Sequence, residues 1–487
     1  MMDNMSRILM VASEATPFAK TGGLADVVGA LPAALQRLGH EVAVVMPRYR
    51  TIPWDSTESV FDNMVVYAGA TPYRVDIRAR VEKGVRFFFV EAPYFFDREG
   101  LYGYSQREFQ DNHRRFAVLA LAALGIAQTV FPCDILHCHD WQAALVPVYR
   151  ADQQHSNPAL SGVKTILTIH NLGYQGRFHR LQFPDLGLNP GWFTTDKLEY
   201  HEDVNFLKGG IAMADWITTV SPTYAREIQT PEGGWGLDGV LRERAGAITG
   251  ILNGVDYQEW CPSADPLIPV TYSSGDLDGK QACKQALLEE FHLPVGRPDQ
   301  PLIGIVSRFA PQKGFDLIAG LAPLFEETDA RLVVLGSGDW RYEKLFHDWQ
   351  RWRPEQIGIW IGYNNGLAHR IEAGADIFLM PSQYEPCGLN QIYSLRYGTI
   401  PVVRATGGLD DTIQEDTGFK FGAYSVGALY DALRMALGAY ENRDSWRARM
   451  RRAMAKDYSW DASARAYAAL YAKLLGGDES SVPGVSS

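Results

Sequence analysis

Lys20-Thr21-Gly22-Gly23 sets a cation and two adjacent glycines between an apolar run and a stretch of helical periodicity. Glycines there let a ligand approach backbone N–H groups at a helix N-terminus, where the peptide dipoles favour an anion, so a diphosphate would fit. The bland alternative is a tight strand-to-helix turn with Lys20 merely solvated. The glycines are adjacent, unlike the spaced glycines of a dinucleotide fingerprint, which argues against NAD. A second anion signal comes from Ser307-Arg308-Phe309-Ala310-Pro311-Gln312-Lys313-Gly314. A planar guanidinium and a point-like ammonium in one loop could together offset charge building on a diphosphate leaving group, although two solvated surface cations would read the same way.

Three more clusters add hydroxyl-binding chemistry. Pro381-Ser382-Gln383-Tyr384-Glu385-Pro386-Cys387-Gly388-Leu389 puts Glu385 where it can accept hydrogen bonds from sugar hydroxyls or attack an anomeric carbon. Cys387 reads as a packed thiol rather than a nucleophile. Thr406-Gly407-Gly408-Leu409 repeats the first loop and offers another backbone cradle. Thr168-Ile169-His170-Asn171-Leu172-Gly173-Tyr174-Gln175-Gly176 supplies an imidazole, amides and an aromatic face, a mixture that suits a sugar. His170 taken alone reads equally well as a histidine satisfied inside its loop.

His137-Cys138-His139-Asp140-Trp141 raises a metal question. Strand alternation points His137 and His139 to one face and Asp140 to the other, and no third ligand follows at metal-site spacing. Asp140 is instead expected as a polar group of a cleft, with Trp141 opening the next helix.

These clusters need elements to hold them. Arg7 to Ser13 is strand-like, Leu24 to Leu38 is helical and Glu41 to Met46 is again apolar, which makes a strand-helix-strand unit. Strands are expected near Arg86 to Val90, Ile135 to Cys138, Lys164 to Ile169 and Trp216 to Val220, with a buried helix at Phe116 to Ala127. Near Asn253 the pattern changes to Pro, Ser, Gly and Asp, as in the stretch Cys261 to Gly279, which reads as the interdomain junction, after which strands are expected at Leu302 to Ser307, Arg331 to Leu335, Gly358 to Gly362, Asp376 to Met380 and Ile400 to Val403. The expected fold class is α/β, two doubly wound Rossmann-like domains facing an interdomain cleft, because open parallel sheets bind ligands at the carboxyl ends of their strands. The expected bounds are 1–255 and 256–457, followed by an Ala- and Tyr-rich closing helix and a disordered tail at 476–487.

Composition narrows the partners. With 46 Lys and Arg against 57 Asp and Glu, the formal net charge is -11, which disfavours nucleic acid and requires any anion site to be local. The five cysteines have no CxxC pairing, which suits a reducing compartment. The start carries no signal-peptide core and no apolar run reaches membrane-spanning length, so a cytoplasmic protein with no membrane partner is expected. Oligomeric state is left open.

Taken together, KTGGLADV at Lys20, HDW at His139, HNLGYQG at His170, NGVD at Asn253, SRFAPQKG at Ser307 and EPCGL at Glu385 closely resemble bacterial glycogen synthases and plant starch synthases, in order as well as kind. That resemblance implies a GT-B fold and a metal-independent retaining transfer of glucose from ADP-glucose to the 4-hydroxyl at the non-reducing end of glycogen or another α-1,4-glucan. No cofactor is implied. The same resemblance implies that the closing helix, at 458–475, joins the first domain. It further implies donor contacts from Lys20, Gly22 and Gly23, an active-site carboxylate at Asp140, and a contact to the transferred sugar from His170. Arg308 and Lys313 become the diphosphate clamp. Glu385 is expected to hold donor hydroxyls, with Cys387, Gly388 and Leu389 beside it. Asp26, Asn253, Thr406 and Gly407 are carried over as substrate contacts, Tyr102 as a sugar-facing group and Tyr363 as an adenine-facing group. Gln383-Tyr384 stand where the family often has Arg-Phe, so a salt bridge from that arginine is not expected here.

No motif supplies a carboxylate nucleophile of the kind a double displacement needs, which favours front-face attack by the acceptor hydroxyl. Two rival classes share the scaffold, a nucleotide-sugar epimerase and a non-catalytic glucan-binding protein. The KTGGL and EPCGL pair weighs against the first, and the cations Arg308 and Lys313 against the second.

Overall fold

The computed structural model describes residues 5–105, 107–295, 297 and 299–476. Of the tail expected at 476–487, residues 477–487 lie outside that range. The chain divides into two compact units. The N-terminal unit takes the described residues up to Val220, then Ala225–Gly254, then the described residues from Trp460 on; the C-terminal unit takes Ser221–Tyr224 and the described residues of Val255–Ser459.

In the N-terminal unit, β1 (Arg7–Val11) is the apolar run Ile8 to Val11, solvent-free on every side chain, as expected of a central parallel strand covered on both faces. The other strands of its main sheet are β2 (Glu41–Pro47), β3 (Glu58–Ala68), β4 (Thr71–Glu82), β5 (Val85–Glu91), β6 (Ile135–His139), β7 (Lys164–Ile169), β8 (Trp216–Thr219) and β9 (Ile248–Gly250). They form one nine-stranded sheet in the order β9-β8-β7-β6-β1-β2-β5-β4-β3. From β9 to β5 every pairing is parallel, with Ile8 opposite both Val42 and Ile135, whereas β3, β4 and β5 pair antiparallel. The order reverses between β1 and β6, so the loops that leave these two strands open the crevice where such sheets take ligands. Helix α1 (Gly23–Arg37) follows β1 and buries Leu24, Val27, Val28, Leu31 and Leu35 on one stripe. The closing helix Trp460–Leu474 returns to this unit, pairing Asp461 with Arg37 at 2.5 Å and setting the Tyr471 hydroxyl 2.8 Å from His137.

The C-terminal unit repeats the plan with β10 (Leu302–Val306), β11 (Arg331–Gly336), β12 (Ile357–Ile361), β13 (Ile377–Met380), β14 (Ile400–Arg404) and β15 (Phe419–Phe421). Their order is β12-β11-β10-β13-β14-β15, all parallel, with the reversal between β10 and β13. The stretch Cys261 to Gly279 corrects the expectation of a junction. It lies inside this unit, because Ile268, Tyr272 and Leu277 are buried in the same apolar cluster as the sheet residues Ile303 and Val334. Its Pro, Ser and Gly content marks turns between buried anchors, not a free linker.

Candidate active site

In the C-terminal unit the two loops at the strand-order reversal meet through one ion pair. Lys313, after β10, sets its Nζ 2.6 Å from Glu385 Oε2, after β13, and Ser382 Oγ donates to the same oxygen at 3.1 Å. Backbone contacts fix the two loops together. Gln383 N donates to Gln312 O at 2.8 Å, and Gln312 Nε2 donates to Tyr384 O at 3.2 Å. Gly314 sits at φ 76°, and a Cβ there would lie 2.1 Å from Pro381 O, so only glycine lets the loops close. Arg308 stands apart: it is exposed, and no ion pair links its guanidinium to another described residue. One strand-end loop thus carries a paired, half-buried ammonium and an open guanidinium.

Gly407 is placed differently from the reading of its loop as a ligand cradle. It has φ 45°, and a Cβ would meet Glu385 O at 2.0 Å; beside it Gly408 would strike Cys387 O. Gly408 N donates to Glu385 O at 3.1 Å, while Thr406 is buried. These glycines therefore serve the close approach of two backbones that holds Glu385. Cys387 is buried, as a packed thiol should be. Gly388, at φ 71°, and Leu389 lead into the helix Asn390–Tyr397, whose buried Gln391 donates through Nε2 to Cys387 O and Gly388 O. Tyr363, after β12, is 88% exposed.

The first glycine pair in the N-terminal unit behaves in the opposite way. Gly22 caps α1 in an extended conformation, Gly23 begins it, and a Cβ on either would meet nothing within 4 Å. Among the described residues no contact demands glycine there, and both glycines are exposed. Lys20 Nζ pairs with Asp26 Oδ1 at 2.7 Å in an exposed position.

Glu14, two residues past Ala12 at the end of the β1 run, is the residue that the motifs did not reveal. Its buried carboxylate accepts from Thr21 Oγ1 at 2.6 Å, from Thr21 N and from the Tyr102 hydroxyl. Tyr102 in turn lies 2.7 Å from Ser13 Oγ, and burial with neighbouring negative charge raises its phenol well above the usual range. Glu14 thus fixes the loop that carries Lys20, and Tyr102 is engaged with protein groups through its hydroxyl. The signal for it was slight: one carboxylate at the carboxyl end of a central strand.

Asp140 follows β6 with φ 57°, a left-handed backbone that turns its carboxylate toward the next loop. Its Oδ1 accepts from His170 N at 2.7 Å, and the Asn171 N–H also contributes. Desolvation nevertheless pushes its carboxyl up to about 7, with Glu14 adding in the same direction. His137 and His139 share a face, as strand alternation requires, and their rings stack 4.4 Å apart. Both nitrogens of His137 are met by hydroxyls, Tyr471 at Nδ1 and Thr168 at Nε2, while His139 Nδ1 lies 3.0 Å from His170 Nε2. Burial pushes His137 and His170 down to about 3 and holds His139 well below its ordinary value, so all three are neutral at physiological pH. Among the described residues no group of three or more His, Cys, Asp or Glu side chains is arranged to hold a metal ion. Asn253 is buried with its Oδ1 unmet among the described residues.

Residues 7–243 match the family described as "Starch synthase catalytic domain", and residues 289–453 match "Glycosyl transferases group 1". The glycogen synthase of Koribacter versatilis (strain Ellin345) is 47% identical over 474 residues, spanning 96% of this chain and 98% of that protein. That of Anaeromyxobacter dehalogenans (strain 2CP-1 / ATCC BAA-258) is 48% identical over 487 residues, spanning 97% of this chain and 100% of that protein. Among solved structures, the catalytic domain of starch synthase IV from Arabidopsis thaliana, bound to ADP and acarbose, is similar with a TM-score of 0.85 and 33% identity, covering 97% of this chain and 100% of that one.

Proposed function

The chain belongs to the glycogen and starch synthase family of GT-B glycosyltransferases, and on that footing we propose that it elongates an α-1,4-glucan such as glycogen. Glucose is transferred with retention from ADP-glucose to the 4-hydroxyl at the non-reducing end. The observation that carries this reading is the Lys313–Glu385 pair at the strand-order reversal of the C-terminal unit. An ammonium directly beside a carboxylate supports a site that takes a diphosphate and sugar hydroxyls together. The ADP in the Arabidopsis relative supports adenosine diphosphate as the leaving group.

Each residue then has a chemical task. Arg308 and Lys313 hold the diphosphate and take up the charge that grows on it as the anomeric C–O bond breaks. Glu385 accepts hydrogen bonds from the hydroxyls of the donor glucose, backed by Gly388 and Leu389. Lys20 and the N–H groups at Gly22 and Gly23 contact the donor, and Asp26 steers Lys20. Tyr363 lies against the adenine. His170 touches the transferred sugar, Asp140 holds the loop that carries it, Asn253 meets a sugar hydroxyl, and Tyr102, its hydroxyl taken by Glu14 and Ser13, holds the Lys20 loop in place.

The acceptor 4-hydroxyl attacks from the face that the phosphate leaves. Its oxygen forms the new bond to the anomeric carbon as the old bond opens, and its proton passes to the departing phosphate oxygen. The two cations supply the charge compensation that a divalent ion gives other glycosyltransferases, so the reaction is metal-independent. The five cysteines are free, which supports a reducing, cytoplasmic setting. Among the described residues no helix is long and apolar enough to cross a membrane.

Incubating the protein with glycogen and either ADP-glucose or UDP-glucose tests the reading. Glucan-dependent release of ADP, faster than release of UDP, supports it. A strong preference for UDP-glucose would replace the donor, and conversion of ADP-glucose without any acceptor would replace the reaction by an epimerase or hydrolase activity.

A further inference from the structure

His139 makes no motif contact of its own, yet it is fully buried and its ring is fixed on both sides. One face stacks on His137 at 4.4 Å, and its Nδ1 lies 3.0 Å from His170 Nε2. His139 Nε2 is buried with no partner among the described residues. Two neutral imidazoles that share one hydrogen bond have two arrangements. If His170 held its proton on Nε2 and donated it, His139 would have to carry its own proton on Nε2, as a buried N–H with no acceptor. If His139 donates from Nδ1, its Nε2 is left as a bare lone pair. Orphaned buried N–H groups are rarer and costlier than under-used acceptors, so the second arrangement prevails.

The consequence falls on His170. With Nε2 serving as acceptor, its single proton sits on Nδ1. No hydrogen bond from a described residue reaches that atom, and the residue is only half-buried, so Nδ1–H is left to face a ligand. The backbone of the same residue is tied to Asp140 through a 2.7 Å bond, which fixes where the ring begins. We propose that His139 is a positioning residue that locks His170 in its Nδ1–H tautomer, making His170 a fixed hydrogen-bond donor to an oxygen of the sugar rather than a proton acceptor. Burial of both rings, which keeps them uncharged, supports this. The proposal rests on the reading of His170 as a sugar contact only for its kinetic consequence. The tautomer itself follows from the protein geometry.

The test uses the whole chain labelled with ¹⁵N-histidine, with the His170 imidazole assigned by its loss in His170→Gln. The account expects Nδ1 in the protonated range and Nε2 in the unprotonated range; a protonated Nε2 overturns it, and this measurement on the parent needs no variant to fold. In kinetics, His139→Phe removes the donor and should lower kcat by about tenfold to a hundredfold while the KM for the nucleotide-sugar moves far less. His139→Asn, whose amide can occupy the place of Nδ1, should recover much of the lost rate and restore the parent spectrum. A well-folded His139→Phe with the parent kcat would overturn the positioning role. Parent-like turnover in His170→Ala would instead remove the sugar contact and leave the tautomer assignment standing.

Discussion

Lys313 Nζ and Glu385 Oε2 lie 2.6 Å apart, with 22% and 9% of their side chains exposed. Arg308, on the same loop as Lys313, is exposed and joined to no described residue by an ion pair. The two cations of the expected clamp therefore differ in what they do for the fold. A partly desolvated pair leaves a buried charge behind when one partner is removed, whereas an exposed unpaired side chain leaves nothing behind.

Arg308→Ala and Lys313→Ala should each lower kcat by about 10²–10³, the loss seen when one preorganised charge is taken from a transition state. Their melting curves should separate them. Arg308→Ala should keep the parent Tm, within about 0.5 kcal/mol of stability. Lys313→Ala should lower stability by about 1–3 kcal/mol, because Glu385 loses its counter-charge. Thermal melts run beside the glycogen assay check both, and equal Tm values for the two variants would show that the pair carries no structural weight.

The two glycine pairs should respond in opposite ways to the same substitution. Gly407→Ala forces a Cβ to within 2.0 Å of Glu385 O at φ 45°, so it should destabilise the fold by more than about 1 kcal/mol. Gly22→Ala meets nothing within 4 Å on an extended backbone, and should leave stability unchanged or raise it by about 0.4–1 kcal/mol. Donor affinity should fall in Gly22→Ala all the same, because the methyl group enters the space that the ligand needs. Urea titration and calorimetry with ADP read the two effects separately.

Glu14→Ala should loosen the Lys20 loop by removing the acceptor of the Thr21 and Tyr102 hydrogen bonds. Hydrogen bonds to a charged group are worth about 1.5–3 kcal/mol, so the donor KM should rise by about tenfold or more while kcat at saturation falls less. Steady-state kinetics decide it. A fall in kcat with unchanged KM would move Glu14 from holding the loop to acting on the reacting atoms.

Asp140 gives a pH signature. Its carboxyl is raised from its ordinary value to about 7, so its neutral form is the one that the fold favours. The stability that it contributes is therefore full at low pH and is lost as pH rises toward and through about 7, where the buried group must ionise. Asp140→Asn keeps the acceptor for His170 N and removes that loss. The variant should gain Tm over the parent at pH 8 and show little difference at pH 4, as measured by scanning calorimetry. The parent pH profile of kcat/KM should bend near the same pH, and the bend should vanish in the variant.

Most of what could be read in the sequence lay in the parallel strands. Ile8 to Val11 and Leu302 to Val306 are continuous apolar runs, and Ile135 to Cys138 is broken only by the buried His137, because both faces of these strands are covered. β3 and β4 escaped notice for the converse reason. β3 exposes Glu58 through Asn63 in succession, its register with β4 shifts at Phe61, and the alternation of burial is confined to Met64 through Ala68, where every residue type is apolar and hides it. The loops that carry Lys20, Arg308, Lys313 and Glu385 could be located by residue type and spacing. Two roles could not. Gly22 and Gly407 look alike in sequence, and only the backbone around them shows that one faces open space and the other faces Glu385 O. Glu14 and His139 act through contacts with residues distant in the chain, Tyr102 and His170, and no local pattern encodes such contacts.

The central claim, retaining glucosyl transfer from ADP-glucose to an α-1,4-glucan, is tested most directly by NMR of the product formed from ADP-glucose labelled with ¹³C at the anomeric carbon and a maltooligosaccharide acceptor. The account predicts a labelled α-1,4 anomeric signal on a lengthened chain, growing in step with released ADP. A β-anomeric signal, or loss of ADP-glucose with no labelled carbon entering the glucan, would contradict it.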